Sequence, residues 1–297
     1  MLTAETQPAD NGLGGKSPVV LGMSYYRAEK RRDPVTRFFP PREDAGGSEL
    51  RLLQQAVEEL GYDTFDSAQM YGDSEVIAGD LVRLYPNKEL VVVTKIGAFP
   101  TETPMEDIER SVARVKTTPH MMIHDNWLEM KTVDKTFEAL QQALRNGLIR
   151  GIGVSNYNMD NLELALKVFG KDLTSYQAKI NLDNPRKDAL QTLLFCEENG
   201  IVFMGSAANN NGEKNEETAK YVDPIVERLT EKYGASKTEL SIRAAVGVGV
   251  LPVIQSKTPD NMRKNIAAPF IELEPSDEMA LTDLIYRRYA MVDAPQL

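Results

Sequence analysis

Residues 90–124 read LVVVTKIGAFPTETPMEDIERSVARVKTTPHMMIH and contain one complete strand–helix–strand unit. The apolar, β-branched run at 90–94 predicts a strand, and a second apolar run at 120–124 predicts another. Between them, Thr103 begins a capping-box pattern with Pro104 at the first helical position, followed by apolar side chains at helical spacing. Two strands joined by a helix in this way predict a parallel pair.

The same alternation of short apolar runs and helical segments covers the rest of the chain. Ser48 is a candidate N-cap for a helix with one apolar face, and Gly61 marks the predicted end of that helix. Ser236 and Glu239 form a second capping-box pattern. Strand–helix alternation along a whole chain predicts a parallel sheet with helical crossovers. The eight runs with strand character are 19–21, 64–66, 90–94, 120–124, 152–154, 175–178, 201–204 and 251–254.

Eight such units form either a closed barrel or an open, doubly wound sheet. An open sheet that binds a dinucleotide is expected to carry a Gly-rich turn after an early strand, and the sequence has neither G-x-G-x-x-G nor a P-loop. The Gly-Val-Gly at 247–249 follows a helical segment instead. We therefore expect one α/β domain at 17–297, a single (β/α)8 TIM barrel with outer helices, after a flexible tail at 1–16.

Composition limits the classes of partner. Hydrophobic residues make up 42% of the 297 residues, yet no apolar run approaches the roughly 18 residues of a membrane span. The net charge of −10 opposes binding to nucleic acid and to anionic lipid. The single cysteine, Cys196, lies in an apolar helical pattern and is interpreted as a core residue. Without disulfides a cytoplasmic location is expected, with a small-molecule substrate, no nucleic-acid or membrane partner and no metal site.

Polar side chains cluster where the predicted strands end, which is where barrel enzymes carry their chemistry. Asp66 ends the second strand with Tyr71 five residues later, Lys95 ends the third and His124 ends the fourth. A phenol has a pKa near 10, and a neighbouring ammonium lowers it by stabilising the phenolate. A carboxylate keeps that ammonium charged, and a neutral imidazole can hydrogen-bond a substrate oxygen. This set is suited to protonating a carbonyl oxygen.

The segment FDSAQMYGDSE at 65–75 closely resembles the aldo-keto reductase motif F-D-T-A-x-x-Y-G-x-S-E. The resemblance extends from Leu21 to Asn265, and five matches in order, each at a strand end, are more specific than any one alone. The later matching segments are VTK at 93–95, IH at 123–124, GLIRGIGVSN at 147–156 and Gln177.

The resemblance implies hydride transfer between NADP(H) and an aldehyde, ketone or sugar-type carbonyl or alcohol. It implies Tyr71 as general acid/base, Lys95 as the neighbour that lowers its pKa, Asp66 as the partner of Lys95, and His124 as the group that orients the substrate carbonyl. It also implies cofactor contacts, at the nicotinamide carboxamide and then along the phosphates and adenosine, from Ser155, Asn156, Gln177, Gly205, Ser206, Ser256, Lys257, Asn261 and Asn265.

The sequence departs from the family pattern near the cofactor. Gly205 stands where family members usually carry an aromatic residue that stacks on the nicotinamide. Asn261 stands where many NADP-preferring members have arginine, although Lys257 or Arg263 could contact a 2′-phosphate. Lys257 precedes a predicted helix whose N-terminus favours anions, so NADP(H) is expected over NAD(H).

An insertion at 25–47 follows the first strand and is rich in arginine and aromatic side chains. A long loop at a barrel mouth commonly shapes substrate choice, so this one could admit an acidic or phosphorylated substrate. Its charges could equally neutralise one another on a solvated face. The candidate substrate contacts are Tyr25 in this loop and Trp127, the only tryptophan, after the fourth strand.

Other interpretations stay open from sequence alone. Asp66 and Lys95 could be a structural ion pair, and His124 could be a core histidine. Ser155 and Asn156 could cap a helix that begins near residue 157, and Gln177 could satisfy core backbone groups. Two alternative functions use the same fold: a cofactor-binding, redox-sensing subunit, and an epimerase or lyase that uses bound nicotinamide transiently.

Overall fold

The computed structural model describes residues 10–24, 47–97, 103–125, 133–180, 182, 189–206 and 216–293. Eight parallel strands form a closed barrel in chain order, and pairing of β1 with β8 closes it. Each predicted strand run is present, and the closed barrel is confirmed over the open sheet. The strands are β1 (Val20–Gly22), β2 (Thr64–Asp66), β3 (Val91–Ile96), β4 (His120–Ile123), β5 (Gly151–Ser155), β6 (Leu173–Lys179), β7 (Val202–Ser206) and β8 (Leu251–Ile254).

Helices surround the barrel and connect its strands. Within the described ranges, no helix is long and apolar enough to cross a membrane. Short 3-10 turns at Gly170–Asp172 and Ala268–Phe270 follow two of the helices. The helices are α1 (Gly47–Glu58), α2 (Ser74–Leu84), α3 (Pro104–Val115), α4 (Val133–Arg145), α5 (Met159–Phe169), α6 (Ala189–Glu198), α7 (Glu216–Tyr233), α8 (Lys237–Gly247), α9 (Pro259–Ala267) and α10 (Pro275–Asp293).

Strand alternation divides the core into an inner and an outer layer. Val91 and Val93 belong to the cluster inside the barrel, whereas Val92 between them packs outward against α1 and α2. The inner cluster also holds Val20, Met122, Met204, Leu251 and Val253. Side chains at every second strand position therefore fill the barrel, and the same alternation directs Asp66, Lys95 and Gln177 inward.

Residues 10–17 close the floor of the barrel, at the N-terminal ends of the strands. Residues 10–16 belong to the segment 1–16 that the sequence predicted as a flexible tail, and residues 1–9 of that segment lie outside the described residues. Backbone N–H groups of Lys16 and Ser17 donate to the carboxylate of Asp63 at 2.6 and 3.0 Å. The Nε2 atom of His120 lies 2.9 Å from the carbonyl oxygen of Leu13, which is itself buried. This segment therefore supplies hydrogen-bond partners to Asp63 and to the Nε2 atom of His120, at the starts of two strands.

Two helix starts that look alike in sequence differ in structure. Ser236 caps α8 with a full capping box together with Glu239. Thr103 makes no such bond to α3, so the capping box predicted there is wrong. The ψ angle of Thr103 is 61°, far from the 160° of Ser236, so Thr103 lacks the extended backbone that a capping residue usually has. Ser48 lies within the first turn of α1 and bonds to Glu49.

Cys196 lies on the inner side of α6, packed in the outer core layer. Burial raises the pKa of its thiol to about 12. The interpretation of Cys196 as a core residue is confirmed, because a thiol with such a pKa is neither a nucleophile nor a metal ligand at neutral pH.

Candidate active site

A buried ion pair lies at the mouth of the barrel, where the C-terminal ends of β2 and β3 meet. The Nζ atom of Lys95 is 2.5 Å from Oδ1 of Asp66 and 3.0 Å from the carbonyl oxygen of Ser67. The amide of Gln177, on β6, donates to the same Asp66 oxygen at 3.1 Å. Asp66 therefore accepts from two donors that come from two different strands.

The environment keeps Lys95 charged. Burial alone would lower the pKa of its ammonium, because an apolar interior disfavours charge. The charges of Asp66 and Tyr71, and hydrogen bonds with both, outweigh burial and leave the pKa of Lys95 above its usual value. Lys95 is thus a cation throughout the neutral range.

Tyr71 and His124 lie against this ion pair. The Nζ atom of Lys95 is 5.0 Å from the centroid of the Tyr71 ring. The His124 ring meets the Tyr71 ring edge-on, with centroids 5.4 Å apart and an interplanar angle of 89°. Both side chains are half-buried, so they border the barrel mouth. The four predicted catalytic side chains of Asp66, Tyr71, Lys95 and His124 therefore form one group.

The loop that carries Tyr71 is held by contacts that the sequence reasoning missed. Its backbone N–H donates to the Ala68 carbonyl at 2.9 Å, and the hydroxyls of Ser67 and Ser74 lie 2.6 Å apart. Glu75 is buried and accepts from Thr94 Oγ1 at 2.7 Å. Most of these residues belong to the quoted motif at 65–75, so the sequence placed them near Tyr71. It did not predict which hydrogen bonds they make.

Ser155, Asn156 and Gln177 form a second group at the ends of β5 and β6. Ser155 pairs in register with Gln177, and the Asn156 N–H donates to the Gln177 carbonyl at 2.9 Å. The φ angle of Asn156 is +61°, a conformation that asparagine tolerates better than most residues. The alternative helix-cap interpretation of Ser155 and Asn156 is wrong, because α5 starts at residue 159 and Asn158 caps it.

Comparison with known proteins identifies the family of the chain. The pattern of the Aldo/keto reductase family matches residues 47–286, which is most of the chain. The chain belongs to this family. Aldo-keto reductases are oxidoreductases that act on carbonyl groups, and the resemblance of the 65–75 segment is thereby confirmed.

Individual relatives are distant in sequence but similar in fold. Methylglyoxal reductase DkgB of Escherichia coli O157:H7 is 23% identical over 234 residues, covering 76% of this chain and 84% of that protein. A thermostable aldo-keto reductase, solved with the inhibitor epalrestat, superimposes with a TM-score of 0.75 at 22% identity, covering 90% and 94% of the two chains. An aldo-keto reductase from Klebsiella pneumoniae, solved with NADPH, superimposes with a TM-score of 0.70 at 19% identity, covering 94% and 92%.

The seventh strand of this aldo-keto reductase places Gly205 differently from the expectation. A Cβ atom at Gly205 would lie 2.5 Å from side-chain atoms of both Ile180 and Val250, in the outer core layer. A side chain at this position would therefore point away from the barrel interior, and nicotinamide stacking from it has no support in the geometry. Ser206, the next residue, follows Met204 on the inward face and is half-buried.

The eighth strand leads into α9, where the other predicted cofactor residues lie. Thr258 caps this helix by accepting from the Asn261 N–H, and Ser256 Oγ donates to the Thr258 carbonyl. Lys257 is exposed just before this N-terminus. Arg263, within the helix, pairs with Asp260 at 3.2 Å. Ser256 and Asn265 are buried. Of the two predicted phosphate-binding cations, Lys257 is the one that precedes the helix start.

The two predicted substrate contacts, Tyr25 and Trp127, lie outside the described residues, as does nearly all of the 25–47 insertion. Just before that insertion, Gln255 at the end of β8 donates to the hydroxyl of Ser24, which links the ends of β8 and β1.

Proposed function

We propose that this protein is an NADP(H)-dependent oxidoreductase that interconverts an aldehyde, ketone or sugar-type carbonyl with its alcohol, using Tyr71 as general acid/base. One catalytic domain at 17–297 would carry the whole activity. The observation that carries the proposal is the group formed by Tyr71 with the buried Lys95–Asp66 pair and His124. Such a group supplies a proton donor, a fixed positive charge and a hydrogen-bonding imidazole at one point of the barrel mouth.

The side chains divide the chemistry of carbonyl reduction between them. When bound, the cofactor supplies hydride to the carbonyl carbon. The Tyr71 hydroxyl gives its proton to the carbonyl oxygen, and the phenolate left behind is stabilised by the Lys95 ammonium until solvent returns a proton. His124, as a neutral imidazole, donates a hydrogen bond to the same oxygen and so fixes its position. In the oxidation direction the Tyr71 phenolate accepts the proton.

The residues at the ends of β5 and β6 fit a nicotinamide carboxamide. Ser155, Asn156 and Gln177 offer a hydroxyl and two primary amides, which together can donate to its oxygen and accept from its NH2 group. Gln177 already donates to Asp66, so this amide is fixed in direction. Fixing the carboxamide would fix which face of the ring is turned toward Tyr71.

The start of α9 fits the phosphate end of the same cofactor. The first N–H groups of a capped helix favour anions, and Lys257 adds a positive charge beside them. Ser206 and Ser256 lie at the ends of the neighbouring strands β7 and β8, and Asn261 and Asn265 lie on α9. This distribution supports NADP(H) over NAD(H), in keeping with the relative that was solved with NADPH.

The decisive experiment is a fluorescence titration with NADPH and with NADH, followed by a panel of aldehydes, ketones and sugars monitored through the reduced cofactor. We expect NADPH to bind more tightly and at least one carbonyl class to be reduced. Tight binding without turnover across the panel would instead support the redox-sensing alternative. Cofactor that copurifies and shows no net oxidation during turnover would support an epimerase or lyase.

The acid/base assignment is tested by Tyr71→Phe. Removing the hydroxyl should lower kcat by roughly a hundred- to ten-thousandfold, the range typical for loss of a general acid. The Kd for NADPH should change little, because the ring remains in place. Normal turnover in this variant would overturn the assignment.

The cofactor preference is tested by Lys257→Ala. We expect KM for NADPH to rise severalfold or more while KM for NADH stays nearly constant, because only NADPH carries the extra phosphate. Steady-state kinetics with both cofactors measures this directly. Lys264→Ala, which removes an exposed lysine inside α9, is the matched control. Equal effects of Lys257→Ala on the two cofactors would leave the phosphate contact unsupported.

A further inference from the structure

Gln69 lies two residues before Tyr71 and is only 3% exposed. Its side-chain amide donates to the Asp107 carbonyl at 3.0 Å and to Ser111 Oγ at 2.9 Å, both on α3. Its backbone N–H donates to the Lys95 carbonyl at 3.1 Å. One buried residue therefore joins the Tyr71 loop to α3 and to the strand that carries Lys95.

These contacts bear on the separation between the Tyr71 hydroxyl and the Lys95 ammonium. Tyr71 lies on a short loop between β2 and α2, and such connections are usually less ordered than the elements that they join. The interaction of two charges weakens as their distance grows, so a small movement of the loop changes how strongly Lys95 stabilises the phenolate. The ammonium itself is fixed by Asp66.

We propose that Gln69 is a positioning residue, which fastens the Tyr71 loop to α3 and thereby holds the Tyr71 hydroxyl beside Lys95 and His124. The proposal rests on the acid/base function proposed for Tyr71. Both hydrogen bonds of the Gln69 side-chain amide lead to α3 rather than to the reacting groups. Its effect on the chemistry is transmitted through the loop.

A purely structural residue would affect folding alone. Losing two buried hydrogen bonds lowers the free energy of unfolding wherever they lie. A positioning residue changes in addition the protonation of Tyr71 and the rate of the proton-transfer step. Gln141 provides a comparison within the same chain, because its amide donates to the Val168 carbonyl at 3.1 Å, between α4 and α5.

The test is an ultraviolet titration of phenolate absorbance, in which the spectrum of each protein with Tyr71→Phe added is subtracted from that of the same protein with Tyr71, so that the difference isolates Tyr71. Gln69→Leu should move the Tyr71 titration upward by roughly one pH unit, because the phenolate loses part of its stabilisation by Lys95. Gln141→Leu should leave it unchanged. This titration requires no turnover, so it can succeed or fail independently of the proposed carbonyl chemistry.

Kinetics add a second readout. We expect Gln69→Leu to lower kcat roughly ten- to a hundredfold, as misplacement of a catalytic group does, with Kd for NADPH changed less than about twofold. If Gln69→Leu fails to fold, Ser111→Ala removes one of the two acceptors and should shift the titration in the same direction by a smaller amount. If the midpoint of the Tyr71 titration is unchanged in Gln69→Leu, or in Ser111→Ala where Gln69→Leu does not fold, the proposal is overturned.

Discussion

Two buried basic side chains lie inside the barrel on neighbouring strands, Lys95 near the mouth and His120 at the floor. Lys95 meets the Asp66 carboxylate, and its pKa lies above the usual value. His120 meets a neutral carbonyl, that of Leu13, and burial lowers its pKa. Burial disfavours charge at both ends; at the mouth Asp66 and Tyr71 outweigh it for Lys95, whereas at the floor the Leu13 carbonyl does not outweigh it for His120. Of these two groups, Lys95 at the mouth is the one that carries a positive charge at neutral pH.

Between the mouth and the floor, the largest expected effect comes from removing the cation at the mouth. Lys95→Met keeps most of the side-chain volume but removes the charge that stabilises the Tyr71 phenolate. We expect kcat to fall roughly a hundredfold or more. The variant also leaves the Asp66 carboxylate buried without its cation, which lowers stability. Combining it with Asp66→Asn should restore part of the stability and none of the activity. Near-normal kcat in Lys95→Met would contradict the role given to Lys95.

Asp66→Asn should leave the basic group at the mouth buried without a carboxylate partner, as His120 is at the floor. It removes the carboxylate, leaves Lys95 buried beside neutral groups, and should cost about 3–5 kcal/mol in the free energy of unfolding. The slope of the free energy of unfolding against pH should also change sign near the pKa of lysine. In the wild type the raised pKa of Lys95 gives stability that is present below the unfolded lysine value of about 10.4 and is lost above it. In the variant, stability should rise with pH up to about 10.4.

Urea unfolding at several alkaline pH values distinguishes the two slopes. Asp63→Asn, which alters a carboxylate at the floor that contacts backbone N–H groups, is the matched control and should not reverse the slope. Identical alkaline slopes in wild type and Asp66→Asn would show that Asp66 does not set the charge of Lys95.

The smallest effect is expected at the floor. Because the pKa of His120 is lowered, its contribution to stability is present above about pH 6.5 and is lost as pH falls toward the folded-state value. His120→Gln can keep a hydrogen bond to Leu13 and should weaken this acid dependence, with kcat changed less than about twofold. Unfolding measured from about pH 5 to 8 checks this. A large loss of kcat would mean that the two ends are coupled.

The sequence predicted the residues that meet at the mouth but not the contacts at the floor. Asp66, Lys95 and His124 were predicted together because polar residues that end parallel strands must meet at one edge. The floor was predicted as a flexible tail, because the contact between Leu13 and His120 uses a backbone carbonyl, which has no residue signature. The contacts of Gln69 with α3 were missed for the same reason: their partners are a carbonyl and a common serine about forty residues away.

Gly205 shows a different limit of sequence reasoning. Its alignment with an aromatic position of the family predicted that it faces the nicotinamide. In the barrel it is an outward position, enclosed by Ile180 and Val250. Alignment specifies the order of residues, whereas the direction of a side chain on a strand follows the alternation of the pleat, which turns Gly205 outward between Met204 and Ser206.

The buried thiol of Cys196 makes this enzyme convenient for site-specific attachment. With a pKa of about 12 it should be inert toward maleimides at neutral pH. A cysteine introduced at Lys16, which is exposed on the floor, would then be the preferred reactive thiol. A dye or a solid support coupled there would sit on the opposite side of the barrel from Tyr71, so the immobilised protein would keep its mouth open to solution.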